Sequence, residues 1–335
     1  MSGGPERVAV LGAGSWGTAL ALVLAGNGAA VTLWGHDPGH VDRLARERRN
    51  RRHLPDAAFP EGLAVSADLD TALAGADWVL IAVPSHAFAA LVAQLAHRLD
   101  ARTPLLWATK GLDADSGGLL HHVAAAALPQ TPLAVLSGPS FAAEVARGLP
   151  TAITLAAADA NVGARLAAAF HCEHFRVYTS SDLVGVELGG AVKNVLAIAA
   201  GVADGLGFGA NARAGLITRG LAEVRRLGRA MGADDHTFMG LAGMGDLILT
   251  CTDDQSRNRR MGLALGRGLD VAAAEREIGQ TVEGLRTARE LHALAAARGV
   301  EMPICEQVHA LLSGAVDAAE ATRNLMLREQ KRELD

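Results

Sequence analysis

The sequence predicts an α/β protein in two parts, an N-terminal doubly wound parallel sheet followed by an all-helical C-terminal domain. Three observations carry that prediction. Short apolar runs alternate with helical stretches through the first half, and a glycine-rich turn joins the first strand to the first helix. From about Asp182 onward the pattern becomes long helical periodicity with no clear strand. At 335 residues the chain exceeds what one hydrophobic core usually supports, which agrees with two domains.

The first element is Arg7-Val8-Ala9-Val10-Leu11, five residues that read as a buried parallel strand. It runs directly into Gly12-Ala13-Gly14-Ser15-Trp16-Gly17, and from Thr18 an apolar helical pattern continues through Leu20, Val23 and Leu24. Gly12 allows the tight turn, Gly14 lets backbone approach a ligand with no Cβ in the way, and Gly17 lets the helix sit close to the strand. The helix start directs free N–H groups and the positive end of its dipole at one spot, so an anion belongs there. Spacing alone is weak evidence, because a glycine-rich turn also forms wherever packing is tight. Ala30-Val31-Thr32-Leu33-Trp34 supplies the second strand of a complete βαβ unit, which makes the reading a Rossmann-like dinucleotide site. His36 and Asp37 then stand where an adenosine ribose is read. The acid favours NAD. The histidine, with Arg43, Arg46, Arg48, Arg49, Arg51 and Arg52 downstream, suits the 2'-phosphate of NADP, so the preference stays open.

Residues 54–60 read as a loop, and a polar, Ala-rich stretch leads to the strand Trp78-Val79-Leu80-Ile81-Ala82-Val83, closed by Pro84-Ser85-His86. A helix over residues 87–99 and a strand over 104–108 follow, the latter ending at Thr109-Lys110-Gly111. A helix over 119–128 precedes the strand Leu133-Ala134-Val135-Leu136, which ends at Ser137-Gly138-Pro139-Ser140. Residues 151–155 and 175–178 read as further strands. Ligands bind beyond the carboxyl ends of such strands, so Gly12 to Trp16, Pro84-Ser85, Lys110 and Gly138 to Ala142 share one rim. The domain boundary falls between Ser180 and Gly190, giving a dinucleotide-binding domain over residues 1–185 and a helical substrate domain over residues 186–335.

A net charge of -5 argues against a nucleic-acid surface, and the basic run from Arg43 to Arg52 reads as a solvated helix face. Residues 1–6 carry no charged-then-apolar leader pattern, and no apolar run reaches the length that spans a bilayer, so a cytoplasmic location is expected. Cys172, Cys251 and Cys305 are few and scattered, which fits a reducing compartment. His171-Cys172-Glu173-His174 offers ligand types, but four adjacent residues do not converge on one ion, so no metal is expected.

Of 31 basic residues only Lys110, Lys193 and Lys331 are lysine. A lysine kept where arginine is otherwise the rule suggests a task arginine cannot do, since a desolvated lysine titrates near neutrality and arginine does not. Lys331 sits in a polar tail and needs no such explanation. Lys193 lies in Gly189-Gly190-Ala191-Val192-Lys193-Asn194, within a small, apolar helical run. The alternative is a packed stem whose amine snorkels to water. Farther on, Gly245-Asp246-Leu247 presents one carboxylate on a glycine-rich turn. Ser256-Arg257-Asn258 offers donors to a phosphate monoester at a helix start, or else a simple helix cap. Glu283, in Gly279-Gln280-Thr281-Val282-Glu283-Gly284, is either a site group or a surface carboxylate.

Together these motifs resemble the bacterial type of NAD(P)-dependent glycerol-3-phosphate dehydrogenase. The likeness runs from Gly12 through Ala108-Thr109-Lys110-Gly111, Ser137-Gly138-Pro139-Ser140-Phe141-Ala142, Gly189 to Asn194, Gly207-Phe208-Gly209-Ala210-Asn211, Gly245-Asp246-Leu247 and Ser256-Arg257-Asn258. The resemblance implies that Ser15, Trp16, His36, Lys110, Ala142, Arg257, Thr281 and Glu283 line the cofactor site. It implies that Lys110, Gly138, Ser140, Lys193, Asp246, Ser256, Arg257 and Asn258 contact the substrate, with Lys193 as proton acceptor. The cofactor is then NAD or NADP, with NADPH in the reductive direction. The reaction is interconversion of sn-glycerol 3-phosphate and dihydroxyacetone phosphate, supplying phospholipid synthesis. His36-Asp37 departs from the Arg-containing pattern of some relatives. In this mechanism Lys110 depresses the pKa of Lys193 by like-charge repulsion, Asp246 orients a lysine or a substrate hydroxyl, and residues 256–258 anchor the phosphate. A homodimer built on the small-residue helical domain is expected. Two other readings stand beside it, a lysine-base β-hydroxyacid dehydrogenase and a non-catalytic nucleotide-binding redox sensor.

Overall fold

In the computed structural model, which describes residues 5–330 and 332, the first half of the chain builds one eight-stranded sheet. Lys331 and residues 1–4 lie outside the described residues. The strands are β1 (Arg7–Leu11), β2 (Ala30–Trp34), β3 (Arg49–Asn50), β4 (Leu54–Ala58), β5 (Leu63–Ser66), β6 (Trp78–Ile81), β7 (Leu105–Trp107), β8 (Leu133–Ser137), β9 (Thr151–Ala157) and β10 (Phe175–Ser180). Their order in the sheet is β10-β9-β8-β7-β6-β1-β2-β5. β1 lies between β2 and β6, with Val10 opposite Leu33 and Leu80. Burial on both faces explains the continuous apolar runs of β1 and β6.

The doubly wound sheet is as expected, but it is mixed rather than wholly parallel, because β9 runs antiparallel to β8. After β8 the chain makes only the short helix Ala142–Ala146, which packs on the first helix, Ser15–Gly26. It therefore stays at the carboxyl edge of the sheet, and the next strand has to start there and run down. β9 and β10 then pair in parallel. A second correction concerns residues 54–60. They are not a plain loop, since β4 pairs with β3 in a separate two-stranded ribbon. Arg48, at a left-handed φ of 49°, turns the chain into that ribbon, and its guanidinium donates to the carbonyls of Leu63 (2.8 Å) and Pro60 (2.6 Å). The edge strand β5 lies in what reads from sequence as merely polar and Ala-rich.

Beyond β10 the chain is helical. Asp182 caps the helix Leu183–Gly205, its carboxylate accepting from the Gly185 N–H at 2.8 Å. This helix is 23 residues long, and it corrects the expectation that no segment is long and apolar enough to cross a bilayer. Its apolar window is 89% buried inside the fold, the position of a core helix. Residues of five later helices pack around it.

Its closest neighbour is the helix Arg257–Gly266. A Cβ on Gly201 would lie 2.1 Å from the Arg259 carbonyl oxygen, and one on Gly262 would lie 2.0 Å from that of Ile198. Backbone therefore meets backbone, and only glycine permits it. Asn194 meets Asn258 at one end, and Gly205 meets Gly266 at the other. The two helices thus run parallel and in step, which brings the turn at Ser256-Arg257-Asn258 to the level of Lys193.

Candidate active site

The glycine turn after β1 has the stereochemistry its sequence requires. Gly12 has φ +125°, and a Cβ there would sit 2.6 Å from the Ala82 carbonyl oxygen of the neighbouring strand end. A Cβ on Gly17 would fall 2.0 Å from the carbonyl oxygen of Gly12. Gly14, by contrast, faces open space, with no atom of the described residues within 4 Å of its Cβ position. It is also the N-cap of helix Ser15–Gly26 and offers no side-chain acceptor, so no capping side chain takes up the first N–H groups of that helix. An open cradle and free donors on a dipole end fit a pyrophosphate. Asn50 secures the turn from below, its amide donating to the Ala13 carbonyl at 3.0 Å and to Thr18 Oγ1 at 2.9 Å. The indole nitrogen of Trp16 is buried without a hydrogen-bond partner among the described residues.

His36 and Asp37 are both exposed beyond the end of β2. Asp37 caps the following helix, accepting from the Gly39 N–H at 3.0 Å.

The second cluster centres on Asp246, whose side chain is wholly buried. The chain reaches it through a π-helical turn, Leu241–Gly245, which runs straight into the helix Asp246–Thr252. Such turns shift the side-chain register of the helix that follows. Gly189 and Gly243 allow the turn to nest, since a Cβ on Gly189 would meet the Ala242 carbonyl oxygen at 2.3 Å and one on Gly243 would meet that of Phe238 at 2.3 Å. One carboxylate oxygen of Asp246 accepts from Lys193 Nζ at 2.5 Å, the other from Lys110 Nζ at 2.7 Å. Lys110 also donates to the Gly138 carbonyl at 3.0 Å, and Lys193 to Thr250 Oγ1 at 3.0 Å. Thr250 in turn donates to the Asp246 carbonyl at 2.6 Å.

Lys193 is 8% exposed, so its amine does not snorkel into bulk water. Its pKa falls from 10.5 to about 8. Burial is the largest cause, the charge of Asp246 pulls the other way, and the nearby Lys110 lowers it further. The like-charge effect expected from the sequence is present, but desolvation outweighs it.

At the start of the helix Arg257–Gly266 the side chains divide their work. Ser256 Oγ accepts from the Arg259 N–H at 3.2 Å, so the hydroxyl acts as the cap that the sequence left as one of two readings. Asn258 donates to Asn194 Oδ1 at 2.9 Å and accepts from the Gly284 N–H at 2.9 Å, locking three helices together. Burial pushes the Glu283 carboxyl up, while the Arg257 guanidinium draws it back. Ser140 Oγ donates to the Gly138 carbonyl at 3.0 Å, and Ala142 opens the short helix beside the glycine turn. Thr281 is exposed, ahead of the helix Glu283–Arg298.

Lys110, Gly138, Lys193 and Asp246 are therefore joined in one hydrogen-bonded network, with Ser140 attached through Gly138. Thr250 joins this network, while Asn194 and Asn50 hold the neighbouring helix contact and the glycine turn, and the sequence reading singled out none of the three. Thr250 had a signal, since it lies four residues after Asp246 on one helix face. Asn50 had none. Among the described residues no group of three or more His, Cys, Asp or Glu could hold a metal ion.

Comparison with known proteins gives a consistent result. Residues 7–163 match the family model for the NAD-dependent glycerol-3-phosphate dehydrogenase N-terminus, and residues 182–323 match that for the C-terminus. The chain is 59% identical to glycerol-3-phosphate dehydrogenase [NAD(P)+] of Halorhodospira halophila, over 98% of this chain and 99% of that one. It is 63% identical to the protein of that name from Alkalilimnicola ehrlichii, over 95% and 96% of the two. The crystal structure of glycerol-3-phosphate dehydrogenase from Coxiella burnetii superposes with a TM-score of 0.94 at 50% identity, covering 97% of this chain and 99% of that one.

Proposed function

The chain belongs to the NAD-dependent glycerol-3-phosphate dehydrogenase family, and we propose that Lys193, held by Asp246 and Thr250, moves the proton in its reaction. It is an oxidoreductase that interconverts sn-glycerol 3-phosphate and dihydroxyacetone phosphate, NAD(P) supplying or accepting the hydride when bound. In oxidation, neutral Lys193 takes the proton of the C2 hydroxyl; in reduction, protonated Lys193 returns it to the forming alkoxide. Asp246 fixes the Lys193 amine and keeps Lys110 close to the same point, where a second ammonium stabilises developing negative charge on the oxygen. Gly14, Ser15, Trp16 and Gly17 cradle the dinucleotide, with His36, Ala142, Thr281 and Glu283 around it. Arg257 holds the substrate phosphate, with Ser256 and Asn258 shaping the turn that presents it.

The observation that carries this reading is the buried carboxylate shared between two lysine amines. Such a cluster has no use in a redox sensor without turnover, and the arginine-bearing turn beside it has none in an enzyme of unphosphorylated hydroxyacids. The direct test is oxidation of NADPH and of NADH by the purified protein with dihydroxyacetone phosphate. Turnover with either cofactor is expected, and its absence with both would overturn the reading. Arg257→Ala should raise the KM for dihydroxyacetone phosphate and lower kcat/KM by about 10- to 100-fold, the loss of one charge-assisted pair. An unchanged KM would remove Arg257 as the anchor.

We assign the dinucleotide-binding domain to residues 1–185 and the substrate domain to residues 186–335. Support comes from the two family models, which leave a gap at residues 164–181, and from the last strand, which ends at Ser180. A cytoplasmic homodimer that supplies glycerol 3-phosphate for phospholipid synthesis completes the proposal.

A further inference from the structure

We infer that Arg259 is a positioning residue for this reaction, fixing the spacing between the phosphate-holding turn at Arg257 and the Lys193–Asp246 pair. The inference rests on the reading of Arg257 as the phosphate anchor. Arg259 itself is 8% exposed, and its guanidinium is committed to three separate segments. Nε donates to the Cys251 carbonyl at 3.0 Å, at the end of the helix that begins with Asp246 and carries Thr250. One terminal nitrogen donates to Asp204 Oδ2 at 2.6 Å, near the end of the Lys193 helix, and the other pairs with Asp254 in the intervening loop. Asp204 is itself gripped by Arg213 Nη1, at 2.9 and 2.8 Å to its two oxygens.

The backbone of Arg259 is equally constrained. Its N–H reaches Ser256 Oγ, and its carbonyl lies against Gly201 where no Cβ would fit. Arg257 stands two residues earlier on the same turn, so any shift of Arg259 moves the anchor with it. Residues 253–256 are the only main-chain link between the helix bearing Asp246 and Thr250 and the turn bearing Arg257. Arg259 bridges that link, its guanidinium at Cys251 and Asp254 and its backbone N–H at Ser256. A lysine has one point charge and cannot tie three segments, whereas the five fixed donors of arginine can.

The consequence is selective. Dihydroxyacetone phosphate touches both the anchor and the lysine, and a displacement of about 1 Å between them misplaces C2 by enough to cost on the order of 10²-fold. Dihydroxyacetone lacks the phosphate and uses only the lysine end, so the spacing is irrelevant to it. The test compares kcat/KM for the two substrates, with NADPH, in wild type, Arg259→Met, Arg259→Lys and Asp254→Ala. Asp254 has an exposed side chain, 74% accessible, so its variant puts little folding energy at risk.

Arg259→Met should lose about 10²-fold on dihydroxyacetone phosphate and less than about 3-fold on dihydroxyacetone, with Arg259→Lys recovering part of the loss and Asp254→Ala showing a smaller, equally selective fall. Equal losses on both substrates would make Arg259 a stability residue and overturn the inference. So would unchanged selectivity in Arg259→Lys and Asp254→Ala together. Wild-type protein inactive on dihydroxyacetone phosphate would instead refute the proposed function. A selectivity that survives Arg257→Ala would refute the anchor alone.

Discussion

Replacing Lys193 by arginine should abolish most turnover while leaving the fold and cofactor binding in place, with kcat falling on the order of 10³-fold or more in both directions. Arginine keeps the positive charge and can still meet Asp246, so what is lost is the ability to be neutral. The wild-type amine has that ability because burial holds its pKa at about 8. The sign of the pH dependence follows. Oxidation of glycerol 3-phosphate needs neutral Lys193 in the free enzyme, so kcat/KM should rise with pH up to about 8 and then level. Reduction of dihydroxyacetone phosphate needs the protonated form, so its kcat/KM should be level below about 8 and fall above it. Mirror-image profiles between pH 7 and 10 are the signature. A shared pH dependence in the two directions, or an arginine variant within about 10-fold of wild type, would exclude Lys193 as the proton carrier.

Lys193 was legible in the sequence because its surroundings are local. A lysine among glycines, alanines and valines on one helix is desolvated wherever that helix is buried, whatever packs against it. The glycine turn was legible for a similar reason, since the φ of +125° at Gly12 and the approach of the Gly17 backbone to the Gly12 carbonyl both belong to a few consecutive residues. What escaped depends on contacts distant in the chain. β9 reads as a strand, but its direction is set by a short helix resting on Ser15–Gly26, and no pattern within residues 151–157 encodes that. β3 is two residues long and β4 carries a proline, and their pairing follows a left-handed turn at Arg48, whose guanidinium binds the carbonyls of Leu63 and Pro60. The turn at Ser256-Arg257-Asn258 was legible as a cluster of donors, but its internal division was not. Ser256 caps the helix and Asn258 bridges three helices, leaving Arg257, whose charge faces Glu283, as the member not spent on those contacts. Arg259 looks like one more basic residue of a run until its three segments are seen together.

The second large effect is expected at Asp246, and its form differs from that of Lys193. Asn has nearly the same shape as Asp, so Asp246→Asn removes the charge without opening a cavity, and the consequences are electrostatic. The carboxylate now serves two ammonium groups, at 2.5 and 2.7 Å. An amide offers one acceptor and turns its NH₂ toward the other lysine, leaving one buried cation unpaired. Breaking a buried pair in this way costs about 3–5 kcal/mol, which should show as a clear fall in thermal midpoint. The charge of Asp246 also raises the Lys193 pKa against burial, so its loss should move the rising limb of the oxidation profile below pH 8. That shift separates an electrostatic partner from a merely structural one, because general loosening of the site would admit water and move the limb upward instead. Turnover should fall by about 10²-fold or more as the amine loses its fixed direction. Adding Lys110→Met to Asp246→Asn should recover part of the lost stability, since the double variant removes the ammonium left without a counter-charge. The two changes are then non-additive, as expected for groups sharing one network. Additive losses, or a pH limb that stays at about 8, would mean that Asp246 does not govern the charge state of Lys193.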